Sequence, residues 1–326
     1  MEELKKIDDN SIQCVVTSPP YWGLRDYGVK GQIGLEQMPE DYVDNLVKIF
    51  SEVKRVLRQD GTIWLNLGDT YCSGGTQRFD NENYGGLGEK QIDTRILGRG
   101  RISKHPFLKP KDLCGIPFRV AFALQEKLGL YLRQAIIWHK PNAMPSSVDD
   151  RPTTDYEFIF LLSKSERYFY KMEFEPTVEP YSEKRAKRPE TSRMKAIHGS
   201  GKPAGNFTTH KLRPEGRNIR TVWSFNTVPY PDAHFAVFPE ELPERCIKSG
   251  TKEGDTVLDP FAGSGTTLWV AKRMNRKYIG IELSEKYIKL CNKRTAQQMV
   301  SDFNPLNEES LIAVSEKTAI TDNDLK

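Results

Sequence analysis

Short apolar runs alternate along this chain with segments whose apolar residues recur at helical spacing. Residues 11–17 predict a buried strand that ends at a double proline, because proline cannot donate to a strand ladder. Residues 41–57 place apolar side chains close to the 3.6-residue period and predict a helix. Residues 59–61 then predict a turn and residues 62–67 a second strand. The N-terminal part therefore predicts a strand, a helix, a turn and a strand.

The same alternation continues through the rest of the chain. Residues 71–105 are polar, rich in glycine and without periodicity, which predicts a long loop. The later predicted elements are a helix at 117–128 and strands at 131–139 and 156–162. Order is expected to resume at 221–223, followed by a helix at 239–249, a strand at 255–259, a helix at 266–275, a strand at 277–282 and a helix at 284–298. Alternating strands and helices predict an α/β fold with a doubly wound, mostly parallel sheet. Residues 302–326 predict a polar tail without order.

Composition narrows the class of protein. The chain has 326 residues, 37% of them hydrophobic and 28% charged, which allows one large domain or two smaller ones. No segment approaches the roughly 20 apolar residues of a membrane span, and the first residues lack the apolar core of a signal peptide. A cytoplasmic protein without a membrane partner is therefore expected. The five cysteines form no CxxC pair, which disfavours both a zinc site and a disulfide framework.

Charge is unevenly distributed along the chain. The net charge is only +4, but residues 164–220 hold 14 lysines and arginines against seven acidic residues. A solvated linker is the plain interpretation of such a run. The alternative is a phosphate-binding insert, since the segment directly follows a predicted strand of the sheet. Its candidate contact residues are Arg185, Lys187, Arg188 and Arg193.

A glycine-rich loop at residues 259–267 lies between a predicted strand and a predicted helix. Gly263 and Gly265 let the backbone approach a ligand closely, and the helix supplies amide groups beside it. Glu282 ends the next strand, where a carboxylate can accept both hydroxyls of a ribose. The loop lacks the lysine of a P-loop, which disfavours a nucleoside triphosphate. The alternative is that the glycines only shape a turn and Glu282 only caps the next helix.

The other informative motif is the turn formed by Ser18, Pro19, Pro20 and Tyr21. Two prolines fix the backbone and remove two amide donors, so their carbonyls are presented without competing local hydrogen bonds. Ser18 and one proline carbonyl could accept the two hydrogens of an amino group, leaving its lone pair aimed at an electrophile. Tyr21 offers a face for an extruded base. The alternative is a simple strand-ending turn with Trp22 filling the core.

In these two motifs the chain resembles the S-adenosylmethionine-dependent amino-group DNA methyltransferases, which methylate N4 of cytosine or N6 of adenine. The resemblance covers most of residues 11–298 and implies S-adenosyl-L-methionine as the cofactor and no metal. It implies the catalytic residues Ser18, Pro19, Pro20 and Tyr21, and the cofactor-binding residues Asp259, Phe261, Gly263, Gly265, Glu282 and His234. The catalytic motif precedes the cofactor motif, which is the beta-class order and implies a circularly permuted Rossmann-like methyltransferase sheet.

The resemblance also implies a domain organisation and partners. Residues 1–163 would be the catalytic part, 164–220 a basic target-recognition insert, 221–301 the cofactor-binding part and 302–326 the tail. Double-stranded DNA would be the main partner. Restriction, phage defence and regulation all leave the same catalytic core, so a separately acting restriction endonuclease is one expected partner, and the oligomeric state stays open. Similar proteins usually begin with a further short strand ahead of residue 2, so the sheet is expected to lack that strand.

The implied reaction is direct in-line attack by the exocyclic amine of a flipped base, without a covalent enzyme intermediate. Methylation at carbon 5 of cytosine needs a cysteine nucleophile, and the chain contains no Pro-Cys dipeptide. Within the family that the chain resembles, serine rather than aspartate at position 18 is more often linked to cytosine, so the resemblance favours N4 of cytosine, with N6 of adenine as the alternative. A catalytically silent DNA-binding module is a second hypothesis, and a methyltransferase acting on RNA or protein is a third.

Overall fold

The computed structural model describes residues 1–24, 26–72, 105–176, 215–228, 238–296 and 311–314, the last of these as backbone alone. The helices in these ranges are α1 (Glu2–Lys5), α2 (Pro39–Val56), α3 (Ile116–Leu128), α4 (Glu241–Gly250), α5 (Thr266–Arg273) and α6 (Glu285–Thr295). The strands are β1 (Ile12–Thr17), β2 (Leu57–Leu67), β3 (Tyr131–His139), β4 (Tyr156–Ser163), β5 (Phe174–Glu175), β6 (Arg217–Asn218), β7 (Val222–Ser224), β8 (Thr256–Asp259), β9 (Lys277–Glu282) and β10 (Leu311–Val314). None of the helices in the described ranges has the length and apolarity that crossing a membrane requires.

Eight of these strands form one mixed sheet in the order β10-β9-β8-β1-β2-β4-β3-β7. All neighbouring strands pair in parallel except β4, which runs antiparallel to both β2 and β3. The predicted α/β fold with a mostly parallel sheet is therefore confirmed. Because β4 is reversed, its first residues lie at the edge where the parallel strands end. That edge, where β1, β2, β3, β8 and β9 end, is called the carboxyl edge below.

Apolar residues pack against both faces of the sheet. On β2, Ile63 and Leu65 belong to the main core together with side chains of α2 and α3. Thr62 and Trp64 point to the opposite face, since successive strand residues alternate in direction. A Cβ on Gly250, the last residue of α4, would lie 2.8 Å from the Thr62 hydroxyl and 3.2 Å from the Trp64 ring nitrogen. Helices therefore cover both faces of this part of the sheet, which leaves the strand ends as the place for a ligand.

The predicted turn at residues 59–61 is wrong, because these residues lie inside β2. The pairing of β1 with β2 passes from Ile12 opposite Leu57 to Cys14 opposite Thr62. Between those two pairs β2 advances five residues while β1 advances two, so three residues of β2 are additional. A local irregularity of this kind accommodates turn-forming residues without ending the strand.

The prediction of an unordered polar tail is wrong for Leu311–Val314, which form β10. This strand pairs in parallel with β9, with Val314 opposite Glu282. Its four apolar residues suit a short strand, but the polar residues around them hide the signal.

Contacts divide the chain into two compact units, one of which is Lys171–Arg220. Within this smaller unit β5 and β6 pair in antiparallel, and the Glu175 carboxylate accepts from the guanidinium groups of Arg217 and Arg220 at 2.8 and 2.5 Å. The smaller unit begins at Lys171, seven residues after the predicted start of the insert at Lys164, and the bounds of a target-recognition insert stay a prediction. The four candidate DNA-binding residues, Arg185, Lys187, Arg188 and Arg193, lie outside the described residues, and so does most of the predicted loop at 71–105.

Candidate active site

The carboxyl edge brings together residues that the sequence singled out. Ser18 directly follows β1, and Glu282 is the last residue of β9. A cavity of about 800 Å³ opens at this edge. Members of both motifs line it, namely Ser18, Pro19, Pro20, Tyr21, Phe261 and Gly263, and Glu282 lines it as well. The turn and the glycine-rich loop, which lie near opposite ends of the chain, therefore share one cavity.

Asp259 lies behind the cavity lining and connects the two motifs. Its side chain is buried, and one carboxylate oxygen accepts from the Thr17 hydroxyl at 2.6 Å and from the Phe261 amide at 3.0 Å. Thr17 directly precedes Ser18, so this carboxylate joins the end of β1 to the start of the glycine-rich loop. Burial raises the pKa of Asp259 to about 6. The geometry gives Asp259 a positioning role between the motifs rather than a place in the cavity wall.

The two glycines of the loop meet different surroundings. Both have a left-handed backbone, with φ of +52° at Gly263 and +79° at Gly265. A Cβ on Gly263 would meet only the Phe261 carbonyl, at 4.0 Å. A Cβ on Gly265 would lie 2.5 Å from the sulfur of Cys291 in α6. Gly263 therefore leaves open space for a ligand, whereas Gly265, which is not a lining residue, allows α6 to pack closely.

The Glu282 carboxylate faces the cavity and also organises the backbone beside it. One oxygen accepts from the Gly263 amide at 2.8 Å, and the other accepts from the amides of Leu283 and Ser284, both at 2.9 Å. Ser284 directly precedes α6, so the capping role considered as an alternative is present together with the cavity-facing position. Burial raises the pKa of Glu282. Carboxylate oxygens have further lone pairs, so ribose hydroxyls could still bind there.

The residues at this end of the cavity fit a nucleoside cofactor. Ser264 is one of the lining residues, and its hydroxyl is buried and has no hydrogen-bond partner among the described residues. A buried polar group without a partner costs about 1–3 kcal/mol, so a polar ligand atom at this position would be stabilising. Gly263 leaves room for the ligand, and Glu282 supplies acceptors. His234 lies outside the described residues, and its role near the cofactor stays a prediction.

The Ser-Pro-Pro-Tyr turn is supported by the elements around it. The Tyr42 hydroxyl of α2 donates to the Pro20 carbonyl at 2.9 Å. The expectation concerned local hydrogen bonds, and this one is long-range, since α2 packs against the turn and its Tyr42 hydroxyl occupies the Pro20 carbonyl. Trp22 is buried in the core and donates its ring nitrogen to the Glu36 carbonyl at 2.8 Å. The structure thus assigns core packing to Trp22.

Polar side chains from two further strands meet the Tyr21 hydroxyl. It accepts from the Ser18 hydroxyl at 3.1 Å and lies 2.8 Å from a Glu157 carboxylate oxygen and 3.1 Å from the Asn66 amide oxygen. The Asn66 amide nitrogen donates to the same Glu157 oxygen at 3.1 Å, and Lys140 binds the other oxygen. Burial, and then the charge of Glu157, raises the pKa of Tyr21 well above 10. The tyrosine hydroxyl therefore keeps its hydrogen.

Sequence reasoning did not single out Asn66, Lys140 or Glu157. Asn66 interrupts an apolar run at the end of β2, and Lys140 directly follows β3, so position at a strand end was an available signal for both. Glu157 is the second residue of β4. It reaches the carboxyl edge only because β4 is antiparallel, and the order of elements along the sequence did not predict that direction.

A comparison with known protein families matches a range that includes these site residues. A family model described as DNA methylase matches residues 12–293, a range that contains both motifs and most of the chain. The chain belongs to this DNA methylase family. The methylase is thus a member of the amino-group N6/N4 family and uses S-adenosylmethionine, and the resemblance stated from the sequence is confirmed.

Relatives match over nearly the whole chain. The type II methyltransferase M.Cfr9I of Citrobacter freundii is 47% identical over 89% of this chain and 83% of its own. The type II methyltransferase M.SmaI of Serratia marcescens is 44% identical over 90% and 87%. Among solved structures, PvuII DNA methyltransferase (cytosine-N4-specific) shares the fold, with a TM-score of 0.58 and 21% identity over 91% of this chain and 84% of that one.

Proposed function

We propose that this methylase transfers a methyl group from S-adenosylmethionine to the exocyclic N4 of cytosine in duplex DNA, by direct in-line attack of a flipped base. The observation that carries the choice of base is serine at position 18, placed at the end of β1 and facing the cavity. In the family that the chain resembles, Ser-Pro-Pro-Tyr is associated with cytosine more often and Asp-Pro-Pro-Tyr with adenine.

The hydrogen bonding of Ser18 supports an amino-group substrate. Its hydroxyl donates to the Tyr21 oxygen at 3.1 Å, so its one hydrogen is already in use. The lone pairs of the Ser18 oxygen therefore remain available to accept a hydrogen of the base amine. An amine held in this way keeps its own lone pair for the attack, and positioning of this kind supplies most of the rate enhancement in a direct transfer.

The cofactor end of the cavity supports the same reaction. Bound S-adenosylmethionine would supply an electrophilic methyl group on a sulfonium centre. Glu282 would accept the ribose hydroxyls, the Ser264 hydroxyl would gain a polar partner, and the loop at Gly263 would lie against the ligand. Through Asp259, the same loop is hydrogen-bonded to the residue before Ser18. This connection would keep the amine and the methyl donor in a constant position relative to each other.

We further propose that residues 164–220 recognise the DNA target, between a catalytic part at 1–163 and a cofactor-binding part at 221–301. That segment holds 14 basic and seven acidic residues, and its excess of positive charge supports phosphate binding. Arg185, Lys187, Arg188 and Arg193 would contact the DNA backbone. The type II methyltransferases among the relatives support a role beside a separately acting restriction endonuclease.

The product of the reaction tests the choice of base. Duplex DNA incubated with the methylase and S-adenosylmethionine is digested to nucleosides, which are identified by mass against authentic standards, with DNA incubated without cofactor as the control. N4-methyldeoxycytidine is expected. N6-methyldeoxyadenosine without N4-methyldeoxycytidine would contradict the proposed base and leave the amino-group chemistry intact, whereas 5-methyldeoxycytidine would contradict both.

A further inference from the structure

We propose that Glu157 acts through Tyr21 on Ser18, as the end of a hydrogen-bonded relay that orients the Ser18 hydroxyl and takes up the proton that the amine loses. The inference rests on the proposed amino-group transfer but not on the choice of cytosine. It gives functions to the Tyr21 hydroxyl and to Glu157 beyond the stacking surface expected of the tyrosine ring.

The direction of the relay follows from counting hydrogens. The Tyr21 hydroxyl has one hydrogen and two nearby acceptors, a Glu157 oxygen at 2.8 Å and the Asn66 amide oxygen at 3.1 Å. The carboxylate is the closer and the charged acceptor, and hydrogen bonds to charged groups are roughly twice as strong as neutral ones. Ser18 in turn donates to Tyr21 at 3.1 Å. The Ser18 hydrogen therefore points to the Tyr21 oxygen, and the Tyr21 hydrogen points to Glu157.

Neighbouring side chains fix the Glu157 carboxylate in the position that this requires. Asn66 is buried, and its amide nitrogen donates at 3.1 Å to both the Glu157 carboxylate and the Phe158 carbonyl. Lys140 binds the second carboxylate oxygen and lies 4.5 Å from the centre of the Trp138 ring. The side chains of Lys140 and Glu157 are 17% and 16% exposed, so this ion pair is largely shielded from solvent. Both carboxylate oxygens therefore have partners, and one of them faces Tyr21.

The relay balances the reaction. When the nitrogen–carbon bond forms and the carbon–sulfur bond breaks, sulfur keeps the electron pair and the nitrogen must lose one hydrogen as a proton. That proton passes to the Ser18 oxygen, the hydrogen of Ser18 passes to Tyr21, and the hydrogen of Tyr21 passes to Glu157. The amine and both hydroxyls end neutral. The carboxylate becomes a neutral carboxyl group, so its negative charge and the positive charge of the methyl donor disappear together.

Removing single atoms tests the relay. Tyr21→Phe keeps the ring and deletes the hydroxyl, and Glu157→Gln keeps the shape and deletes the charge. We expect each change to lower kcat by about 10-fold or more, while KM for DNA and the Kd for S-adenosylmethionine, measured by calorimetry, stay within about 3-fold. Each single substitution already interrupts the relay. The double variant should therefore be no slower than the slower of the two single variants.

The control for the missing hydroxyl is Tyr156→Phe, one residue before Glu157 at a side chain that is 40% exposed. It should retain the wild-type kcat. A wild-type kcat in Tyr21→Phe would overturn the relay, as would losses that multiply in the double variant. If Glu157→Gln does not fold, as judged by its thermal unfolding, Tyr21→Phe alone decides. N4-methylcytosine formed at full rate by Tyr21→Phe would overturn the relay and leave the proposed function standing.

Discussion

Asp259 shows how one side chain can matter to a site without lining it. Its carboxylate accepts from the Thr17 hydroxyl and the Phe261 amide, so a single buried residue connects the catalytic turn to the cofactor loop. Burial is the main cause of its raised pKa, and the hydrogen bonds to the carboxylate oppose that effect only in part. The residue therefore stabilises the geometry of the site at some cost to the stability of the fold.

The raised pKa of Asp259 predicts that the free energy of unfolding depends on pH. The pKa of Asp259 is about 6 in the folded protein, against 3.8 for an unperturbed aspartate, so the folded state binds this proton more tightly than the unfolded state. The carboxyl group therefore opposes folding increasingly as the pH rises from about 4 to about 6. Relative to Asp259→Asn, the free energy of unfolding of the wild type should fall by up to about 3 kcal/mol across that interval.

Urea unfolding of both proteins at pH values from about 4 to 7 measures this difference. The comparison with Asp259→Asn removes the contributions of carboxyl groups that do not interact with Asp259. A difference that stays constant across the interval would show that burial does not raise the pKa of Asp259.

At the scale of elements, the packing of α6 against the glycine-rich loop depends on the absence of a side chain at Gly265. A Cβ there would lie 2.5 Å from the Cys291 sulfur and 3.2 Å from the Cys291 Cα. The backbone atom cannot move without shifting α6 itself. The loop and the helix are therefore held at a distance that only glycine permits.

Gly265→Ala should destabilise the protein by more than backbone strain alone. Gly254 is the matched control, because its φ is +80° and a Cβ there would meet nothing within 4 Å. Gly254→Ala should cost about 1–2 kcal/mol for the left-handed backbone. Gly265→Ala should cost about 1–3 kcal/mol more, because the clash with α6 is added. Chemical denaturation compares the two, and equal losses would show that α6 does not limit this position.

Some elements of the fold could be predicted from the sequence and others could not. Strands such as β1 and β8 are apolar runs with clear ends, so pattern alone located them within about two residues. The direction of β4 could not be predicted, because an apolar run looks the same in either orientation. Residues 59–61 looked like a turn, because their residue types do not show that β2 continues through them with additional residues. Glu157 was missed for the first of these reasons.

For the whole molecule, the sequence was more informative about the site than about its surroundings. Ser18, Gly263 and Glu282 belong to short motifs whose residues each have a chemical reason, and the structure places all three around one cavity. β10 shows the opposite case, because its pairing with β9 is a long-range contact that its few apolar residues could not reveal. DNA binding is also a property of the whole molecule, because a duplex would contact residues far apart in the sequence.

The basic insert predicts a salt-dependent contribution to DNA binding. Changing Arg185, Lys187, Arg188 and Arg193 to alanine should weaken binding and reduce the slope of log K against log salt by up to about 4, since each phosphate contact contributes about 0.9. A variant with lysine at the three arginine positions keeps the charge and should keep the slope. Fluorescence anisotropy with labelled duplex DNA measures both, and an unchanged slope in the alanine variant would identify the insert as a linker.

The central claim is that the turn at Ser18 and the loop at Gly263 form one site in which the amine is held by the first and the methyl donor by the second. Ser18→Ala tests it most directly, with the transfer of labelled methyl to duplex DNA followed in a single turnover and cofactor binding measured by calorimetry. We expect the transfer rate to fall by about 100-fold or more, with the Kd for S-adenosylmethionine within about 3-fold of wild type. An unchanged transfer rate would contradict the claim.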